Sequence, residues 1–181
     1  MNPKLQNGFD SMEQKRRALF AQMEKLSPQE RNLSPREGKW SAMEIMKHLV
    51  ESEGLSQAYI QKKLKYRTRI PKTGLVHALR TRFGLMYMRG SIKMKAPSYL
   101  GKMSEPIDLP MLQEKWDHSR AELKEILEDF PEELMQNAVL KHPLGGRINI
   151  LQTMQFLEAH FDRHNKQISK LLTDGTPNDP S

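Results

Sequence analysis

Residues 40–51 read WSAMEIMKHLVE, and they mark the start of a long amphipathic helix. Ser41 and Glu44 have the spacing of a capping box, in which each side chain accepts a hydrogen bond from the backbone N–H of the other residue. Apolar residues then recur at three-and-four spacing, which is typical of a helix with one buried face. The pattern predicts a helix from Ser41 to about residue 66, interrupted only by Gly54.

Similar apolar patterns predict three more long helices. The first covers residues 9–26 and ends at Ser27-Pro28, and a polar connector, residues 29–39, follows it. The third covers residues 111–130, with Pro110 at its first position, and the fourth covers residues 150–172. The fourth helix opens on Asn149 and Gln152, which repeat the capping-box spacing.

The rest of the chain shows weaker patterns. Residues 74–89 have a weak helical pattern, residues 90–110 read as irregular, and residues 132–140 read as a short helical turn. We find no convincing strand and no internal repeat. The sequence therefore predicts an all-α fold, a four-helix bundle with an additional short helix or a long irregular connection.

Length and composition predict one intracellular domain. A chain of 181 residues fits a single helical domain spanning residues 1–181, with a core of about residues 9–172 and a polar tail, residues 173–181. No apolar run reaches the ~20 residues needed to cross a bilayer, and the N-terminus lacks the apolar core of a secretory signal. We expect a cytoplasmic location. Because cysteine is absent, any metal must use nitrogen and oxygen ligands.

Three histidines form the candidate site. His160 and His164 stand four residues apart, so on a helix they project from one face, and this spacing can chelate a metal. Surface helices also carry such pairs by chance. His48 lies about two turns into its own capped helix, beside apolar residues that turn that face toward the bundle. Zinc, nickel, iron and copper all accept imidazole nitrogen, so the three histidines are candidate metal ligands.

Two segments of the chain resemble the DinB-like proteins. The first runs from Trp40-Ser41 through Glu44 to His48-Leu49 and Glu51. The second runs from His142-Pro143 through Gly145 to the histidine pair, Gln167 and Ile168, and the resemblance covers roughly residues 10–172. It implies a four-helix bundle in which His48, His160 and His164 bind one divalent metal, with water completing the shell. The metal itself, zinc, nickel or iron, is left open.

The resemblance also implies a range of functions. Relatives include thiol-dependent transferases and isomerases, which use a small-molecule thiol, and proteins described as metal-dependent hydrolases. Three imidazoles leave open positions on a metal, which is the arrangement of a catalytic site. A borrowed thiol and a metal-bound water fit the absence of cysteine equally well. A bundle whose metal site is vestigial is a further alternative.

Glu51 is the candidate catalytic residue. It follows His48 by three residues and shares its helix face, so it could serve as a general base or as an acceptor for a ligand's hydrogen bond. The alternative is a solvated helix carboxylate. Of the other histidines, His77 and His118 lie within charged helices and are interpreted as solvated, and His142 could reach the site from its loop or pack against the following proline.

A basic segment, residues 61–102, suggests a rival function. Twelve basic residues and no acidic one lie between positions 54 and 104, which exceeds the whole net charge of +7. This segment could bind an anionic partner, nucleic acid or a membrane surface, in a non-catalytic binding module. We do not expect nucleic acid, because no recognisable motif is present. The segment could instead steer an anionic small-molecule substrate toward the metal. A homodimer through exposed helix faces is also predicted.

Overall fold

The fold is a four-helix bundle with a small hairpin. A computed structural model describes residues 1–36, 38–66, 70–73, 108–142 and 146–174. The described helices, in chain order, are α1 (Pro3–Met23), α2 (Pro28–Asn32), α3 (Ala42–Lys65), α4 (Leu109–Glu128) and α5 (Ile150–Asp174). Helices α1 and α3 each pack against both α4 and α5. The predicted all-α bundle is confirmed.

Helix α3 begins as its sequence predicts. Ser41 Oγ accepts a hydrogen bond from the Glu44 backbone N–H at 3.2 Å, and Glu44 Oε2 accepts one from the Ser41 N–H at 2.7 Å. The helix continues through Gly54 without a break. At the start of α5, Asn149 and Gln152 make the same reciprocal pair, at 2.9 and 3.0 Å. Both histidine-bearing helices are therefore anchored by their first turns.

Helix α1 begins six residues before the predicted start at residue 9. Asn2 caps it, since its side-chain oxygen accepts a hydrogen bond from the Lys4 backbone N–H at 3.0 Å. Pro3 then occupies the first helical position, where its missing N–H has no cost. Leu5 has 0% exposure, so this extra turn belongs to the core.

Two connections differ from the sequence prediction. The polar connector contains a short helix, α2, because Ser27 and Glu30 form a capping box in front of it. The expectation of no strand is wrong: β1 (Leu140–His142) and β2 (Gly146–Ile148) pair antiparallel, with Leu140 opposite Ile148. Both of these side chains are buried, which ties the hairpin to the core. Residues 132–134 form one 3-10 turn, shorter than the predicted helical turn.

The apolar interior has two clusters. One lies near the hairpin and includes Leu5, Leu123, Leu127, Val139, Ile150 and Leu157. The other lies beside the first half of α3 and includes Met43, Met46, Leu49, Trp116, Phe161 and Ile168. Because members of the second cluster flank His48 on α3 and lie between and beyond the two histidines on α5, this cluster sets how those helices meet.

A buried ion pair crosses the bundle between α3 and α4. Glu53 is 1% exposed and accepts hydrogen bonds from Arg120 Nη2 at 2.8 Å and from Trp116 Nε1 at 3.0 Å. Glu13 of α1 lies 3.4 Å from Arg120 Nε. Burial raises the pKa of the Glu53 carboxyl, while Arg120 and Trp116 favour its charged form. Three helices are thus joined by polar contacts inside an apolar core.

Several predictions fall outside the described residues. They include the helix over residues 74–89, nearly all of the irregular stretch that follows it, and most of the basic segment. Residues 175–181 of the tail lie outside as well. None of the helices in the described ranges is long and apolar enough to span a membrane.

Candidate metal centre

The bundle brings the three predicted metal ligands together. His48 comes from the second turn of α3, and His160 and His164 come from successive turns of α5. The Nε2 atom of His160 lies 3.3 Å from Nε2 of His48 and 3.1 Å from Nε2 of His164. One nitrogen of each ring lies within 4.8 Å of the others, so the three side chains could hold a metal ion.

The distances between the Nε2 atoms are those expected for imidazoles bound to one transition-metal ion. Two imidazole nitrogens that each lie about 2.0–2.1 Å from one ion are about 2.9 Å apart at a right angle and about 3.3 Å apart at the tetrahedral angle. The observed 3.1 and 3.3 Å fall in this interval. In both contacts, each ring contributes the same nitrogen, Nε2. The donor set fits zinc, nickel and iron alike.

Burial favours the neutral imidazoles that a metal requires. Desolvation, with a smaller contribution from nearby His48, lowers the pKa of His164 to about 4. Desolvation also lowers the pKa of His48, and the negative charge of Glu51 partly opposes this. Because a protonated imidazole has no lone pair to donate, the lowered pKa values of His48 and His164 keep these two ligands available at neutral pH.

Each ligand ring has its own neighbour. The Trp40 ring lies 5.1 Å from the His48 ring, and Phe156 stacks on His160 with ring centroids 5.7 Å apart. The third ring, His164, makes a polar contact instead: its Nδ1 lies 2.9 Å from Gln167 Oε1. These contacts restrict the rotation of all three rings.

Sequence reasoning assigned no role to Gln167. The residue was part of the family resemblance only, although its position three residues after His164 places the two side chains on one helix face. That spacing was the available signal. A ligand histidine commonly hydrogen-bonds through its second ring nitrogen, so a polar residue at this offset is a candidate partner.

Glu51 lies beside the histidines without a described hydrogen bond to them. Its carboxylate is half-buried and lies 3.7 Å from Lys47 Nζ on the same helix. Burial lowers the pKa of His48, and the negative charge of Glu51 is close enough to oppose that shift in part. The carboxylate is therefore near the candidate metal site, and its catalytic role stays a prediction.

The other histidines lie away from the triad or outside the described residues. His118 on α4 has a side chain that is 77% exposed and lies 3.5 Å from Glu122, as expected for a solvated helix residue. His77 and the side chain of His142 are not among the described parts of the chain. Trp116 on α4 has 0% exposure and belongs to the core.

A sequence model described as the DinB superfamily matches residues 11–168. The chain belongs to the DinB superfamily. The match spans both histidine-bearing helices, so the resemblance inferred from those segments is confirmed. No curated protein and no solved structure matches the chain.

Membership of the DinB superfamily agrees with the fold and the site. The superfamily is often metal-binding, and the three histidines of this DinB-like chain could hold a metal. Family, bundle and histidine cluster thus point to the same part of the molecule.

Proposed function

We propose that this protein is a metal-dependent enzyme in which His48, His160 and His164 hold one divalent transition metal, zinc, nickel or iron. The observation that supports it is the convergence of three Nε2 atoms at 3.1 and 3.3 Å. Neutral imidazoles whose Nε2 atoms lie this close repel one another unless a cation or a shared hydrogen lies between them. A divalent ion satisfies all three at once.

The protein's own residues would bind the metal, orient its ligands and exclude water from the site. When bound, the metal would lower the pKa of a coordinated water or small-molecule thiol and so supply a nucleophile near neutral pH. The two helices orient the three imidazoles. Phe156 stacks on the His160 ring and Trp40 packs at a tilt against the His48 ring, and both would limit the access of water there. Glu51, whose charge acts on His48, would accept a proton at its carboxylate.

We propose a reaction of the thiol-dependent transferase or hydrolase kind. A chain without cysteine would have to obtain a thiol from a small molecule, and a metal-bound water fits the absence of cysteine equally well, so both reaction classes are proposed. The clustered cations of the basic segment favour an anionic substrate, because a concentration of positive charge raises the local concentration of a negatively charged ligand. A homodimer formed through exposed helix faces stays a prediction.

Metal content is the first test. We would measure zinc, nickel and iron by elemental analysis in the wild-type protein and in His48→Ala, His160→Ala and His118→Ala, each purified without chelator or affinity-tag metal. His118→Ala is the matched control because it removes an exposed histidine from another helix. We expect near-stoichiometric metal in wild type and control, and loss in both triad variants. A wild-type protein that takes up no metal on reconstitution would refute the proposal and leave the basic segment as the candidate binding surface.

Activity separates the two reaction classes. The metal-loaded protein would be assayed with electrophilic substrates in the presence and absence of a small thiol, and with ester and amide substrates in buffer alone. Thiol-dependent product formation identifies a transferase, and thiol-independent cleavage identifies a hydrolase. Glu51→Gln is expected to keep its metal and to lose about 10²–10⁴-fold in rate, the usual contribution of a general base. Unchanged turnover in Glu51→Gln would exclude that role for Glu51.

A further inference from the structure

We infer that Gln167 is a positioning residue that fixes the tautomer of His164 and thereby aims its Nε2 lone pair at the metal position. The inference rests on the proposed metal site. Gln167 Oε1 lies 2.9 Å from His164 Nδ1, and the two residues lie three apart on α5. A carbonyl oxygen has no hydrogen to donate, so the imidazole must donate through Nδ1.

The hydrogen at Nδ1 decides what His164 can do at its other nitrogen. A neutral imidazole carries one ring hydrogen, so a hydrogen on Nδ1 leaves Nε2 with a free lone pair. That Nε2 atom is the one that lies 3.1 Å from Nε2 of His160. The Gln167 contact therefore selects the form of His164 that can act as a ligand at the common point.

Loss of this acceptor would favour a competing state. With no partner at Nδ1, the ring hydrogen is free to move to Nε2, where it lies within hydrogen-bond distance of His160. The triad would then be closed by a hydrogen bond between two of its own ligands. A metal ion has to break that bond before it binds, so the Gln167 contact stabilises the binding-competent form against the self-bonded form.

Gln167 is well suited to a clean experiment. It is exposed on α5 while His164 is 9% exposed, so its replacement removes the contact with little loss of packing. Gln155 is a matched control because it is an exposed glutamine on the same helix. Gln167→Glu is the conservative variant, since a carboxylate also accepts the hydrogen from Nδ1.

The test uses two independent measurements on wild type, Gln167→Ala, Gln167→Glu and Gln155→Ala. The first is the ¹⁵N NMR spectrum of the histidine rings in metal-free full-length protein at neutral pH, which reports which nitrogen of His164 carries the hydrogen. The second is the Zn²⁺ dissociation constant from competition with a chromophoric chelator. We expect Gln167→Ala to gain the Nε2–H form and to bind zinc about 10–100-fold more weakly. Gln167→Glu should keep the Nδ1–H form and bind within a few-fold of wild type.

The two measurements distinguish failure of the proposed metal site from failure of the inference about Gln167. If the wild-type protein binds none of zinc, nickel and iron, the proposed function fails, while the NMR spectrum still decides whether Gln167 sets the tautomer. If His164 keeps its hydrogen on Nδ1 in Gln167→Ala, or if Gln155→Ala weakens zinc binding as much as Gln167→Ala does, the inference is overturned. A zinc affinity that Gln167→Glu fails to restore also counts against it.

Discussion

Acidifying the metal-free protein should destabilise it through His164. Burial lowers the pKa of this residue from the ordinary 6.5 to about 4. Between these two pH values the unfolded chain binds a proton at His164 that the folded chain does not bind. The contribution of His164 to the free energy of unfolding is therefore complete above pH 6.5 and is lost as the pH falls toward 4.

The size of the effect follows from the shift. A difference of about 2.5 pKa units corresponds to about 3 kcal/mol at 1.36 kcal/mol per unit. His164 is 9% exposed, so screening by solvent reduces this figure little. A loss of this size is a substantial part of the ~5–15 kcal/mol by which typical domains are stable.

Denaturant unfolding at a series of pH values would measure the contribution of His164 to the free energy of unfolding. Wild type, His164→Gln and the exposed-site control His118→Gln would be stripped of metal and unfolded in urea from pH 7.5 to pH 4. Carboxylates titrate in all three proteins, so their effect cancels in the free-energy difference between wild type and His164→Gln, which reports on His164 together with its smaller coupling to His48. As the pH falls across this range, we expect wild type to lose about 3 kcal/mol of stability relative to His164→Gln. A difference that is the same at pH 7 and pH 4.5 would refute the low pKa.

Two further experiments test the architecture that supports the site. Arg120→Met leaves the Glu53 carboxylate buried without its cation and should lower the free energy of unfolding, measured by chemical denaturation, by about 3–5 kcal/mol. The double change Arg120→Met with Glu53→Leu should restore most of that loss. Equal losses of stability in the single and double variants would contradict a buried ion pair. Ser41→Ala removes the cap of α3 and should cost about 1 kcal/mol in the same assay. Its zinc affinity should stay close to that of wild type because His48 lies two turns further along the helix; a large loss of affinity would show that the cap also positions the ligand.

The helices were predictable where two local signals agreed. Helices α3 and α5 each combine a capping box with a one-sided apolar pattern, and both start where the sequence indicates. The start of α1 was missed because its Asn2-Pro3 cap precedes the first apolar residue that repeats clearly. The hairpin was missed because strands of three residues are too short to display a two-residue period.

The site was predictable in membership and not in geometry. Spacing places His160 and His164 on one helix face, and the family resemblance adds His48, but how closely α3 approaches α5 depends on the packing of the whole bundle. The pairing of Glu53 with Arg120 was hidden for the same reason. Both residues resemble ordinary solvated charges in sequence, and only the alignment of α3 with α4 brings them together.

The separation of the ligands along the chain has a consequence for how the protein is made. His48 and His160 are 112 positions apart, so during translation the first ligand leaves the ribosome long before the other two. A growing chain that has only α3 offers a single imidazole, which holds a metal weakly. In the proposed site, metal loading would therefore have to wait until α5 has been synthesised and has docked on α3, and the folded metal-free bundle would be the state that captures the ion.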